Sequence, residues 1–144
     1  MQSRYKDICN ALILDAKEDL KAAKILLANA IYSKSIFHSQ QTVEKALKSA
    51  LALNAIFITD DHVVSDKFSL LFSKFNQIKE VAEEAKFLER QGSKTRYPLF
   101  HNPIKPIWIP SKEYKKEDAE KALQKAQFVL DKILNFLKEK YKIV

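Results

Sequence analysis

Apolar residues along this chain recur with the period of a helix, and no stretch alternates convincingly with the period of a strand. Leu12, Ala16, Leu20, Ala23 and Leu27 form one stripe opposite Lys17, Lys21 and Lys24, which predicts a helix over about residues 3 to 29. Asn29-Ala30 then reads as a short turn, with Ser33 or Ser35 placed to cap a second helix. In that helix Val43, Ala46, Leu47, Ala50 and Leu51 occupy the i, i+3, i+4, i+7 and i+8 positions of one face, and it should end near Asn54.

Residues 55 to 65 read as a connection, with Ser65 the expected N-cap of a helix over 66 to 90. Phe68, Leu71, Phe72, Phe75, Ile78, Val81, Ala82, Ala85 and Leu88 supply its buried side, and a break near Asn76 would divide it. Gly92, the single glycine, follows the last periodic residues, where a left-handed C-cap would need it. From Ser93 to about Tyr114 the periodicity stops. All four prolines fall there, at 98, 103, 106 and 110, and each biases its predecessor toward extended geometry. A final helix carries Ala119, Ala122, Leu123, Ala126, Leu130, Ile133 and Leu137. The expectation is an all-α protein over 1–144, a single bundle of four to five antiparallel helices with a long Pro-rich loop before the last.

Composition narrows the class. A chain of 144 residues can bury a sizeable core without staples. The lone cysteine, Cys9, excludes an internal disulfide and a Cys-based metal cluster, and reads as a small core residue. No apolar run approaches the roughly 18 residues of a membrane span, so a soluble, cytoplasmic protein is expected. One glycine and one methionine beside abundant lysine point to a hot source. The net charge of +7 suits a phosphate-bearing partner, and suits lysines that merely solvate helices equally well.

Gln40, Glu44 and Lys48 share a face of the second helix, with Gln41 and Lys45 one position along. By spacing alone this is a solvated stripe with a Glu44–Lys48 pair. The series Phe37, Gln40, Gln41, Val43, Glu44, Lys45, Leu47 and Lys48, followed by Arg96-Tyr97-Pro98 and His101, resembles the HEPN domain family. Asp19, Ala22 and Tyr32 also suit that pattern, so the resemblance covers roughly residues 5 to 140.

The resemblance implies a helical bundle tied to nucleotides or RNA, with Gln41, Glu44, Lys45, Lys48, Arg96 and Tyr97 along a groove between helices. It also implies a homodimer. Some members cleave RNA without metal through an Arg-x4–6-His motif. Arg96 and His101 fit that spacing, so Arg96 would hold phosphate and His101 would move protons. Other members carry the Arg-Tyr-Pro triplet with no assigned nuclease activity, their arginine reaching back to the second helix, here toward Glu44. Two further readings stay open: the toxin half of a toxin–antitoxin pair, and a non-catalytic subunit that docks onto a nucleotidyltransferase. Neither implies a cofactor.

Three other side chains carry expectations. His62 stands where the family often has a histidine, but directly after Asp60 and Asp61, and reads as a capping or hydrogen-bonding residue. The spacing of His62, His101 and the aspartates fits no zinc site. His38 reads as a surface or interface residue. Trp108, between Ile107 and Ile109, could stack a base or pack on the bundle, and packing is favoured.

Overall fold

The computed structural model describes residues 2–57 and 64–143. His62, Asp60 and Asp61 lie outside the described residues. The fold is all-α: α1 (Gln2–Ala28), α2 (Tyr32–Ala52), α3 (Ser65–Phe72), α4 (Lys79–Glu89), the single-turn α5 (Pro110–Glu113) and α6 (Lys116–Tyr141). No described helix is long and apolar enough to cross a membrane.

The helix α2 is the centre of the bundle. Its small residues let neighbours approach on several sides, and Ser33, Ser35, Ser39, Thr42 and Ser49 are buried with Ala46, Leu47, Ala50 and Leu51. Ser33 and Ser35 therefore lie within the helix rather than capping it. Ile31 occupies the cap position without a side-chain bond, and the Ser35 hydroxyl donates to the Ala23 carbonyl of α1 at 2.8 Å. A buried hydroxyl needs a partner, and the neighbouring helix supplies it. The turn joining α1 to α2 places Ala30 at φ 60°, a left-handed position where an alanine is strained.

Chain directions follow from cross-helix pairs. Ser35 meets Ala23 and His38 meets Asp19, so α1 and α2 are antiparallel. Asn54 donates to the Tyr141 hydroxyl at 3.2 Å at one end, while Ile36 and Ala122 border a common pocket near the other. Thus α2 and α6 run in the same direction, and they pack directly against each other. Ala119, Ala122, Ala126, Val129, Leu130, Ile133, Phe136 and Leu137 turn inward from α6. At the end of the bundle Phe136 packs edge-on against both Phe72 and Phe75.

The 66–90 periodicity resolves into α3 and α4, separated by a 3-10 turn at Asn76–Ile78. Ser65 does not cap α3 with its own side chain. The Glu89 carboxylate reaches across from α4 and accepts from Val64 N (2.8 Å), Ser65 N (2.9 Å) and the Ser65 hydroxyl (2.6 Å). One acidic side chain thereby satisfies donors that α3 leaves open at its N-terminus.

Gly92 has φ 54° and opens a 3-10 turn over Gly92–Thr95. The proline-containing stretch beyond it is ordered by one antiparallel bridge, with Leu99 N to Trp108 O and Trp108 N to Leu99 O both at 3.0 Å. Pro110 is buried and begins α5, where a missing N–H costs nothing. The hairpin-like loop is pinned at its base. The Trp108 indole N–H donates to the Lys94 carbonyl at 2.9 Å and its ring meets Tyr114 edge-on. Tyr114 in turn donates to the Gln91 side chain at 3.1 Å. Burial, then the charges of Asp118 and Glu113, push the Tyr114 phenol above its ordinary value, so it stays a donor. Trp108 is thus a packing residue.

Candidate functional site

Arg96 follows directly on the 3-10 turn after α4, and the chain turns it back onto α2. Its guanidinium lies 5.4 Å from the centroid of the Phe37 ring and 5.6 Å from that of Tyr97. Phe37, Gln40, Gln41, Val43, Glu44, Leu88, Glu89, Gly92 and Arg96 line one pocket with free volume of about 50 Å³. Small-molecule sites occupy roughly 300–1,000 Å³. A phosphate fits such a space; a whole nucleotide does not.

The position of Arg96 is fixed through its neighbour. Thr95 is fully buried, and its hydroxyl donates to the Gln40 side-chain oxygen at 3.1 Å. The Gln40 amide nitrogen donates to the Leu88 carbonyl at 2.8 Å. Gln40 therefore ties α2 to the end of α4 and to the turn that carries Arg96. Lys34, on the first turn of α2, donates to the Arg96 carbonyl at 3.3 Å.

The other expected groove residues separate. Gln41 and Glu44 border the Arg96 pocket, and Glu44 is 9% exposed. Lys48 donates to Glu44 at 3.4 Å and also borders an apolar groove formed with Ile8, Leu12, Ala52, Ile56 and Phe57. Lys45 points elsewhere, to the outer seam of α1 and α2, with Asp15 and Asp19 each 2.5 Å from its ammonium. Burial alone would pull the Lys45 ammonium down. Hydrogen bonds and charge from the two aspartates together outweigh it and hold the group above the ordinary lysine value. Asp19 also accepts from or pairs with His38 Nδ1 at 2.8 Å, so His38 belongs to this seam.

Tyr97 and His101 are exposed on the loop. The His101 ring stacks on Phe100, with centroids 5.2 Å apart and planes 27° from parallel. Arg96 thus faces α2, whereas His101 faces its own loop neighbour. The polar stripe of α2 includes Gln40, but nothing in the spacing marks Thr95 as its partner or Lys34 as a donor to the Arg96 carbonyl. A helical wheel gives a residue's face, but the 48-residue separation of Gln40 and Leu88 is invisible to it.

The match to known proteins agrees with this architecture. A HEPN domain model matches residues 9–139. The chain belongs to the HEPN domain family. It is 41% identical over 133 residues to "Putative toxin MJ1304" of Methanocaldococcus jannaschii, covering 88% of this chain and 86% of that protein. Among solved structures it is similar to TT1696 from Thermus thermophilus, with a TM-score of 0.72 and 27% identity over 88% of this chain and 96% of that one. It is also similar to ST0689, an archaeal HEPN homologue, with a TM-score of 0.68 and 27% identity over 90% and 98% of the two chains.

Proposed function

We propose that this HEPN protein binds RNA through a basic surface centred on Arg96. The observation that carries the reading is the acid-free stretch of sequence that holds that residue, set beside a pocket to which α2 and α4 also bring Glu44 and Glu89. From Arg90 to Lys112 the chain has five Lys or Arg and no Asp or Glu. Within this stretch Arg96 is held between two rings and a fixed turn. A guanidinium presents donors in a planar fork suited to phosphate oxygens, and fixing it beforehand lowers the ordering cost of binding. The pocket's small volume favours a polymer lying across the surface over a mononucleotide enclosed by it.

Anisotropy titration of a labelled RNA at low salt tests this reading. Affinity should fall linearly with the logarithm of salt concentration, and Arg96→Ala should weaken it at least tenfold. No affinity at low salt would remove the proposal.

A second reading is a metal-independent endoribonuclease of the toxin class, favoured by the relative named as a toxin and by the Arg96-x4-His101 spacing. The ribose 2′-hydroxyl would attack phosphorus, the 5′-oxygen would leave, His101 would transfer protons, and Arg96 would stabilise the phosphorane. Because Arg96 and His101 face different neighbours in one protomer, a homodimer would bring motifs from two copies to one strand. Cleavage in EDTA with cyclic-phosphate ends, lost in Arg96→Ala and His101→Ala, would establish it. Intact RNA throughout would leave binding alone. A nucleotidyltransferase partner remains a third proposal, tested by co-purification.

A further inference from the structure

The loop between Arg96 and Trp108 presents two large rings to solvent. Phe100 is 66% exposed and Tyr97 59% exposed. Phe100 stands within the segment closed by the Leu99–Trp108 bridge and Tyr97 two residues before it, with Pro98, Pro103 and Pro106 restricting the backbone between Tyr97 and Trp108. Each ring has a cationic or titratable neighbour. The Arg96 guanidinium lies by Tyr97, and the His101 imidazole is stacked on Phe100. Lys105 follows in the same acid-free stretch.

Flat groups exposed on a rigid basic loop match the requirements of unpaired nucleotides. The cations track the backbone, and aromatic faces take bases that no partner strand covers. A duplex hides its base faces within the helix, so it gains only the phosphate contacts. Trp108, for which the sequence favours packing over stacking, is half-buried and held by its bond to Lys94 and its contact with Tyr114. We infer that Phe100, backed by His101 and flanked by Tyr97, is a base-stacking platform that restricts this protein to single-stranded RNA.

This inference rests on the RNA-binding reading above. The chemistry assigned to the platform is stacking of a nucleobase on the outer face of the Phe100 ring, while Arg96 takes the adjoining phosphate. The apolar content of the loop would also suit a second copy of this chain, an occupant that the test separates.

The experiment compares wild type, Phe100→Ala and Phe100→Trp by anisotropy, using a labelled oligouridine, the same length of abasic strand, and a duplex. Light scattering gives the oligomeric state of each variant. Stacking predicts that wild type prefers the oligouridine over both other probes. Phe100→Ala should lose about five- to 150-fold in oligouridine affinity with its salt slope unchanged, and Phe100→Trp should restore it. Equal affinity of wild type and Phe100→Ala, with wild type still binding RNA, overturns the platform and leaves the RNA reading standing. So does a Phe100→Ala variant that becomes monomeric while keeping its affinity per chain, which would assign the loop to contact between copies. Absence of any RNA binding by wild type removes both readings together.

Discussion

The side chain of Gln40 accepts a hydrogen bond from the buried hydroxyl of Thr95, 55 residues away, at 3.1 Å. Because the same amide donates to Leu88, both of its ends are engaged, and the backbone immediately before Arg96 is locked to α2. Removing either partner leaves a buried polar group unsatisfied.

Gln40→Ala should lower stability by about 1–3 kcal/mol in urea unfolding and release the turn at Gly92–Thr95. Thr95→Val, which keeps the shape but orphans the Gln40 oxygen, should cost about as much. Hydrogen exchange at the Arg96 and Tyr97 amides, both bonded to Ser93 O, should quicken in each variant. Unchanged exchange with lowered stability would show that the pair supports the bundle but not the arginine.

The Glu89 carboxylate gives a separate expectation. It satisfies two backbone donors and one hydroxyl at the start of α3, so Glu89→Ala should cost about 1–2 kcal/mol. Glu89→Gln offers one acceptor oxygen and should fall between. Urea midpoints measured with calorimetry check this, and a variant as stable as wild type would deny the cap its role.

Much of the fold was legible in the chain because helical periodicity directly reports which face is buried. The stripe of α2, the break at Asn76 and the left-handed Gly92 all follow from local rules. What escaped was every choice made across elements. Ser65 looks like an N-cap, yet Glu89 from another helix does that work. Lys45 and Lys48 share the polar stripe on a wheel. The i, i+4 spacing already pairs Lys48 with Glu44, but only the seam with α1 shows that Asp15 and Asp19 claim Lys45.

That seam leads to a prediction for Lys45. The two aspartates already neutralise it, so Lys45→Gln should leave RNA affinity within about twofold of wild type while lowering stability by about 1–2 kcal/mol, discounted because Asp15 is largely exposed. Its folded pKa is raised above 10.5, so this stabilisation is present below that value and lost as pH rises through the folded one. Anisotropy beside urea unfolding separates the two effects. A large affinity loss would return Lys45 to the binding surface.

Cys9 should behave as a core group. Burial pushes its thiol to about 11 from an ordinary 9.0, against a smaller lowering by its bond to Ser49. Native protein should therefore react with Ellman's reagent only as fast as it unfolds. Above pH 9 the unfolded thiol ionises before the folded one, so stability falls between about pH 9 and 11. Cys9→Ala should flatten that fall in urea midpoints taken at pH 8 and 10.5. The same slope in both proteins would assign it to other groups.

Phe37 provides the sharpest test of how the site is built. Its ring lies 5.4 Å from the Arg96 guanidinium, a contact worth about 0.5–2 kcal/mol, and it borders the pocket at the same time. Phe37→Leu keeps apolar bulk on α2 but removes the ring face. Stability should change by less than about 1.5 kcal/mol, since the swap replaces one apolar side chain with another at a half-buried site. RNA affinity should fall about two- to tenfold, because the arginine must now be ordered on binding. Combining Phe37→Leu with Arg96→Ala should cost no more than Arg96→Ala alone, as expected of residues acting through one another. Additive losses in that cycle would mean that Phe37 contacts RNA itself, and that Arg96 owes nothing to the ring beneath it.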